Sequence, residues 1–263
     1  MKILFAGDVV GKAGRQILKQ GLAKLREEQD FDLVIANVEN AAAGFGVTPD
    51  IADQFFASGI DVLTSGNHVW DKKEIIGYLG REPRLIRPIN YPPTSPGTGR
   101  YVAHTASGTP VAVLNLQGRV FMPATDCPFR AAEQEVARLA KQARVIFVDM
   151  HGEATSEKMA MGWFLDGKVS AVVGTHTHIP TADERVLPGG TAYITDVGMC
   201  GPFDSVIGIE REPSLTRFLS GIPAKFETAK KDPWLNGVVV DVDESTGKAR
   251  SITRTRVTEQ DLP

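Results

Sequence analysis

The chain has few of the features that mark secreted or membrane proteins. Only two cysteines, Cys127 and Cys200, occur among 263 residues, in neither a CxxC motif nor a disulfide framework. Such scarcity suits a reducing compartment. No run approaches the 18 apolar residues of a membrane-spanning helix, and the first residues lack a signal-peptide pattern. We therefore expect a cytoplasmic protein without a membrane partner.

Strong charge and nucleotide-binding glycine motifs are also missing. The formal net charge of −3 creates no overall field that would attract nucleic acid, so an anionic substrate needs local cations. The segment GDVVGKAG does not match GxGxxG, and Lys12 is followed by Ala13 rather than by Ser or Thr. This excludes the dinucleotide-binding and P-loop classes.

Short apolar runs alternate with amphipathic stretches along most of the chain, which favours an α/β layered fold. The runs predict strands buried on both faces, and they are Ile3–Ala6, Leu33–Ala36, Val62–Leu63, Val111–Leu116, Val145–Val148, Ala171–Val173, Ala192–Ile194 and Val238–Val240. The amphipathic stretches predict helices at Arg15–Glu28, Asp50–Ser58 and Ala131–Ala143.

The last third of the chain alternates in hydrophobicity and predicts antiparallel strands at Val238–Val242 and Ser251–Val257. A mixed sheet or a two-sheet sandwich therefore fits better than a purely parallel sheet. Pro88–Gly99 predicts a long loop, and Gly201–Asp232 an elaborated surface region. No repeat or linker divides the chain, so we expect a single domain over residues 1–263.

Polar side chains of the kind that bind metals follow five of the predicted strands. They are Asp8, Glu39, Asn40, Asn67, His68, His151, His176 and His178. In open α/β sheets the carboxyl ends of strands share one edge, where ligands bind. Four of the five histidines fall at these positions; the fifth, His104, has no such partner and is expected to be solvated.

Each of these residues alone has an ordinary structural explanation. Asp8 could cap a helix or form a turn, and Asn67 could adopt a left-handed conformation beside Gly66. Two imidazoles one residue apart, His176 and His178, are harder to explain without a metal. Their coincidence with the other strand ends favours a metal site.

The mixture of imidazole, carboxylate and carboxamide suits Fe, Mn or Zn, with Fe or Mn favoured. Apart from His68, these side chains are too many for one ion, so we expect two ions sharing the carboxylate of Glu39. Two metals roughly 3.5–4 Å apart are a known device for phosphoryl transfer.

Five motifs in this order resemble the calcineurin-like metallophosphoesterases, and most closely the YmdB-type subgroup of bacterial phosphodiesterases. They are GDVVG at 7–11, VEN at 38–40, SGNHVWD at 65–71, DMHGE at 149–153 and GTHTHIPTAD at 174–183. The resemblance implies a four-layer αββα sandwich of two mixed sheets with its metals at the sheet edge. Val10 stands where that superfamily usually has a histidine, and Glu39 replaces its bridging aspartate.

The resemblance also implies a division of the ligands between the two ions. The first ion would take Asp8, Glu39, Asn40 and His178, and the second Glu39, Asn67, His151 and His176. Asn40 would compensate for the histidine missing at Val10. His68 remains without a metal and is expected to protonate the leaving oxygen as general acid. Asp71 could orient the His68 ring or serve a helix N-terminus.

The expected function is hydrolysis of phosphodiesters, with 2′,3′-cyclic or 3′,5′-cyclic nucleotides as the first candidates for the substrate. The expected partner is thus a small phosphodiester or nucleotide, and a homo-oligomer is left open. Arg119, Phe121 and Phe129 are candidates for contacts to phosphate or base, with a structural role as the alternative.

Two other functions compete with this hypothesis. A non-catalytic metal- or nucleotide-binding regulator on the same fold would bind nucleotide without turnover, but His68 argues against it. A metal-dependent amidohydrolase also uses a His-x-His pair, but places it near the N-terminus, whereas here the pair begins at His176.

Overall fold

Two mixed β-sheets form the centre of the fold. The computed structural model describes residues 1–262. Its strands are β1 (Lys2–Ala6), β2 (Asp8–Val9), β3 (Leu33–Asn37), β4 (Val62–Thr64), β5 (Arg100–His104), β6 (Pro110–Gln117), β7 (Val145–His151), β8 (Ala171–Thr175), β9 (Arg185–Val186), β10 (Ala192–Ile194), β11 (Met199–Pro202), β12 (Pro233–Val242) and β13 (Ala249–Thr258). The helices are α1 (Gly11–Glu28), α2 (Pro49–Ala57), α3 (Ile75–Leu79), α4 (Pro128–Leu139), α5 (Thr155–Leu165) and α6 (Arg211–Ser220), followed by a 3₁₀ turn at Glu259–Asp261.

The first sheet has the strand order β2-β11-β12-β1-β3-β4, and β13 pairs with β12. Within it β1, β3 and β4 are parallel, whereas β12 runs antiparallel to both β1 and β13. The second sheet has the order β5-β6-β7-β8-β10-β9, with antiparallel strands only at its two edges. The carboxyl ends of β3, β4, β7 and β8 are therefore available to build one site.

Strand β1 shows why the buried strands are continuous apolar runs. Successive side chains point to opposite faces of a sheet. Ile3 and Phe5 face the second sheet, whereas Leu4 and Ala6 face the helices. Both faces of Ile3–Ala6 are buried, so none of these positions carries a polar side chain.

Three apolar layers separate the sheets and helices. Phe5 and Phe147 stack between the two sheets with their ring centroids 5.5 Å apart. Helices α1 to α3 cover the first sheet and include Leu22 among their buried residues. Helices α4 and α5 cover the second sheet, through residues such as Leu139 and Met161. The predicted four-layer αββα sandwich is confirmed.

All eight apolar runs lie in strands, and the three amphipathic stretches correspond to α1, α2 and α4. The third stretch was predicted too far, because α4 ends at Leu139 and not at Ala143. The predicted antiparallel pair corresponds to β12 and β13, and residues 88–99 contain no helix or strand. His104 is exposed on β5, as expected. The assignment of residues 1–263 to a single domain stays a prediction.

Helix α5 was not predicted, because its polarity is inverted. Glu157 and Lys158 are buried, whereas Trp163 on the same helix is exposed. Charged residues at core positions conceal the helical period that marks an amphipathic helix. Within residues 1–262, no helix combines the length and the hydropathy that a membrane crossing needs.

The layer between the sheets can be tested with Phe147→Ala. Removing a fully buried ring that stacks on Phe5 leaves a cavity, so we expect the free energy of unfolding to fall by about 3–5 kcal/mol. Urea denaturation measures this change. The matched control Phe121→Ala removes an exposed ring and should change the free energy by no more than about 0.5 kcal/mol. Equal effects in both variants would contradict the assigned layer.

Candidate metal centre

The structure brings the predicted ligand side chains to one edge, where the two sheets meet. The first sheet contributes Asp8, Glu39, Asn40 and Asn67, and the second sheet contributes His151, His176 and His178. Each follows or ends a strand of its sheet, as the sequence predicted. The crevice outside the carboxyl ends of neighbouring strands thus becomes a single polar site.

His151 lies at the centre of this site and is fully buried. Its Nε2 is 3.1 Å from Glu39 Oε1, 3.1 Å from Asn67 Oδ1 and 3.1 Å from His176 Nδ1. Ligand atoms of Glu39, His151 and His176 all lie within 4.8 Å of one another. These residues belong to the set that the resemblance assigned to the second ion.

Hydrogen bonds behind His151 define which ring nitrogen carries the proton. Thr175 Oγ1 donates to Asp149 Oδ1 at 2.7 Å, so its remaining role toward His151 Nδ1, at 2.9 Å, is that of acceptor. Nδ1 therefore carries a proton in either charge state of the ring, so Nε2 is the nitrogen that faces the cluster, where it can hold a second proton or offer its lone pair to a cation. Asp149 and Thr175 are themselves fully buried, so this orientation is held by a rigid network.

His176 presents a second lone pair to the same point. Its Nε2 lies 3.1 Å from Glu153 Oε2 and can donate to that carboxylate, which leaves the lone pair on Nδ1. When the His151 ring is neutral, its Nε2 and His176 Nδ1 face each other together with Glu39 Oε1 and Asn67 Oδ1 as four acceptors. Acceptors at this distance repel one another unless a cation or a proton lies between them. The donor set fits a transition-metal ion.

The second group of side chains surrounds Asn40. His178 Nδ1 donates to the carbonyl oxygen of Ile207 at 2.8 Å, so its Nε2 is an acceptor. The amide nitrogen of Asn40 lies 3.0 Å from His178 Nε2 and 3.1 Å from Glu39 Oε1. Asp8 Oδ2 accepts the backbone N–H of His176 at 3.1 Å.

The other oxygen of Asp8, Oδ1, is buried and has no hydrogen-bond partner. A buried carboxylate oxygen without a partner is unfavourable unless a positive charge lies beside it. This orphaned oxygen fits a cation, as the resemblance implied for Asp8.

Burial and neighbouring charges both shift the pKa values of the side chains in the site. Burial raises the pKa of Asp8 to about 7, against the attraction of His178 and His151. Burial acts to lower the pKa of His151, but the carboxylate of Glu39 outweighs it and raises that pKa to about 9. Burial, reinforced by the charge of His151, lowers the pKa of His176 to about 3. The raised pKa values of Asp8 and His151 mean that these two groups favour a bound proton, whereas His176 stays neutral beside them.

Glu39 completes this pattern. Its burial acts to raise its pKa, but the charge and hydrogen bond of His151 hold the pKa below the usual range. Glu39 Oε2 also accepts the backbone N–H of His68 at 3.1 Å. An ionised Glu39 therefore lies between two sets of side chains. One set is His151 with Asn67 and His176, and the other is Asn40 with His178.

The turn that carries His176 and His178 is strained. Their φ angles are 105° and 67°, in the left-handed region that residues other than glycine rarely adopt. Between them, the backbone N–H and the hydroxyl of Thr177 donate to Asp196 Oδ2 at 3.1 and 2.8 Å. Lys158 Nζ donates to the same oxygen at 2.8 Å, and both partners are 1% exposed. This buried ion pair holds the turn.

Close packing makes glycine necessary at position 66. A Cβ atom there would lie 2.3 Å from both Glu39 Oε2 and His151 Nε2. Any other side chain would therefore displace the central groups of the site. The glycine that precedes Asn67 allows β4 to deliver its amide this close to His151.

A cavity of about 310 Å³ opens over these side chains, and His68 lines it. His68 Nδ1 lies 2.8 Å from Asp71 Oδ2, which is the orienting contact that the sequence left open. Arg119, Phe121 and Phe129 are not among the residues that line the cavity. Phe129 instead packs against Phe164, with the ring centroids 5.5 Å apart.

Several contributors to the site were missed from the sequence. They are Asp149, Glu153, Lys158, Thr175 and Asp196. Glu153 follows His151 within the motif DMHGE, so its position carried a signal. Asp149 lies in the same motif, and Thr175 in GTHTHIPTAD, so their positions also carried a signal. Lys158 and Asp196 act through buried hydrogen bonds between distant segments, which no local pattern reveals.

Replacing Lys158 by Met tests the role of the buried ion pair. The change leaves Asp196 buried without its cation, so we expect the free energy of unfolding to fall by about 3–5 kcal/mol. Urea denaturation checks this. Lys19→Met, at an exposed position of α1, is the matched control and should have little effect. Unchanged stability of Lys158→Met would show that the pair does not hold the turn.

Comparisons with known proteins agree with this geometry. The chain is 50% identical over 255 residues to the 2′,3′-cyclic-nucleotide 2′-phosphodiesterase of Bacillus subtilis (strain 168), covering 97% of this chain and 96% of that one. A crystal structure of a hypothetical protein from Thermus thermophilus matches with a TM-score of 0.92 and 39% identity, over 100% of both chains.

A more distant structure shows the fold alone. The calcineurin-like phosphoesterase YfkN from Bacillus subtilis superposes with a TM-score of 0.55 at 14% identity, over 98% of this chain and 90% of that one. The family model described as "YmdB-like protein" matches residues 4–255. The predicted resemblance is confirmed: the chain belongs to the YmdB-like protein family.

Proposed function

We propose that the chain is a two-metal phosphodiesterase that hydrolyses 2′,3′-cyclic nucleotides. The predicted enzyme class, a hydrolase of phosphoric ester bonds, is confirmed by the family and by the Bacillus subtilis relative. That relative's name also favours the 2′,3′-cyclic over the 3′,5′-cyclic substrate. Fe or Mn is the expected metal, with Zn as the alternative.

One observation carries the proposal: four acceptor atoms converge on a buried point. They belong to Glu39, Asn67, His151 and His176. Beside them lies a second group, in which Asp8 Oδ1 has no partner and His178 Nε2 is an acceptor. Glu39 Oε1 is 3.1 Å from a member of each group, which supports its role as the bridge.

Asn40 needs one adjustment to serve as a ligand. Its amide nitrogen faces Glu39 and His178, and a half-turn of the amide would place the oxygen there instead. The bound metals would lower the pKa of an attacking water and offset the charge on the phosphoryl oxygens. The protein's own residues position these groups and exclude water from beneath them.

His68 is suited to act as the general acid. Asp71 Oδ2, 2.8 Å away, holds the proton on Nδ1 and leaves Nε2 as the nitrogen for proton transfer. The backbone N–H of His68 donates to Glu39 Oε2, so the ring is tied to the central carboxylate. His68 lines the cavity without joining the convergent acceptors, which supports a role toward the leaving oxygen instead of toward a metal.

Metal analysis together with turnover tests the proposal. Metal-loaded protein should contain two ions per chain and hydrolyse 2′,3′-cyclic AMP faster than 3′,5′-cyclic AMP. Fewer than two ions in fully active protein would overturn the binuclear arrangement. Tight nucleotide binding without turnover would instead support a non-catalytic regulator.

Glu39→Gln should lose bound metal and activity together, because the amide removes the negative charge from the bridge between the two groups. Metal content by mass spectrometry and hydrolysis of bis-p-nitrophenyl phosphate are the measurements. Glu133→Gln, at an exposed site on α4, provides the control and should retain both. Full metal content in Glu39→Gln would refute the bridging role.

His68→Ala should keep its metal and lose about 10²–10⁴ in kcat for cyclic nucleotides, since the leaving oxygen must depart without a proton donor. The loss should be smaller for bis-p-nitrophenyl phosphate, whose leaving group needs no proton. His104→Ala is the matched histidine control on exposed β5. An empty site in His68→Ala would show that His68 is a ligand instead of an acid.

A further inference from the structure

The cavity over the candidate metal centre has one polar side and one apolar side. The apolar side, here called the apolar wall, consists of Phe45, Ile207, Ile209 and Phe226. Four of the predicted ligands line the same cavity together with His68: Glu39, Asn40, His176 and His178. None of the four side chains in the wall can donate or accept a strong hydrogen bond. Catalysis at the metals does not require such a surface.

Ile207 joins the wall to the metal ligands. Its carbonyl oxygen accepts the Nδ1–H of His178 at 2.8 Å, while its side chain is 49% exposed. Its φ of 46° is unfavourable for a β-branched residue, so the surrounding structure must hold it there. Ile207 thus keeps a strained backbone while it orients the candidate metal ligand His178 and exposes an apolar side chain to the same cavity. Such strain is typical of a residue that contacts a bound molecule.

The wall contains two aromatic rings, those of Phe45 and Phe226. The ring of Phe45 packs edge-on against the ring of His68, with their centroids 5.0 Å apart. Phe226 is half-buried, and the guanidinium of Arg217 lies 5.1 Å from its ring centroid. Ile207, Ile209 and Phe226 also line an adjoining cavity of about 320 Å³. The wall is therefore wider than a phosphate group needs.

We infer that the apolar wall receives the nucleobase of the substrate while its cyclic phosphate lies at the metal centre, an inference that rests on the proposed function. A nucleobase has flat faces that stack on aromatic side chains and pack on apolar ones. A nucleotide thus matches the cavity, with its anionic end toward the cation site and its base toward Phe226. Phe226 then determines specificity for nucleotides over simple phosphodiesters.

The wall also predicts how bases are distinguished. Stacking tolerates any base, because each has a π-face, whereas base identity is recognised by hydrogen bonds. Since the wall offers no hydrogen-bonding side chain, we expect the adenine and uracil forms of the substrate to be hydrolysed with kcat/KM values within about tenfold of each other. The larger stacking area should favour adenine.

Phe226→Ala tests the inference with two substrates. These are 2′,3′-cyclic AMP and the 2′,3′-cyclic phosphate of 1-O-methylribose, which carries the same ester without a base. We expect the variant to lose about tenfold or more in kcat/KM for the nucleotide, mainly through KM, and little for the base-free ester. Phe226→Trp should restore the nucleotide's KM, and the exposed Phe121→Ala should change neither substrate.

The outcomes separate the inference from the function beneath it. Suppose that the wild type hydrolyses both substrates. If Phe226→Ala then lowers kcat/KM equally for both, or for neither, the inference alone is overturned. No hydrolysis of either substrate by metal-loaded wild type would overturn the proposed function and the inference with it. A loss confined to the nucleotide and rescued by Phe226→Trp supports both.

Discussion

The convergence of acceptor atoms on His151 Nε2 is the constraint around which the site is arranged. Glu39, Asn67 and His176 each approach this atom to 3.1 Å, in a pocket where His151 is fully buried. Such an arrangement is unfavourable without a positive charge, and it persists only because the surrounding structure is rigid. Holding these acceptor atoms together therefore lowers the stability of the fold, which is typical of a preorganised cation site.

Two buried polar networks supply that rigidity from the second sheet. Asp149 accepts from Thr175, which in turn orients His151, and Lys158 pairs with Asp196 beneath the strained histidine turn. Buried ion pairs seldom add stability relative to apolar residues, because desolvation offsets their attraction. Their presence here is better explained by geometry: each network places a ring at an angle that apolar packing would not specify.

The extent to which the sequence predicts this site follows from where each residue lies. Asp8 and His151 could be predicted because each lies at the carboxyl end of a buried apolar strand, where ligands bind in α/β sheets. Lys158 could not, since a lysine in a helix is ordinarily expected at the surface, and only the folded chain brings it to Asp196. The role of Ile207 could not be predicted either. It lies in a segment without a helical or strand hydrophobic period, and its positive φ is visible only in the folded chain.

In the segment between β11 and β12, a single residue contacts both the candidate metal ligand His178 and the cavity. Ile207 accepts the hydrogen bond of His178 with its carbonyl and contributes its side chain to the apolar wall, so a backbone shift at Ile207 would alter both contacts. A molecule that packs on the wall would therefore contact the residue that orients His178, a candidate metal ligand. Because binding energy from a remote part of a substrate raises rate only when it improves geometry at the reacting centre, this shared residue would give the base of the proposed substrate a physical route to influence catalysis at its phosphate.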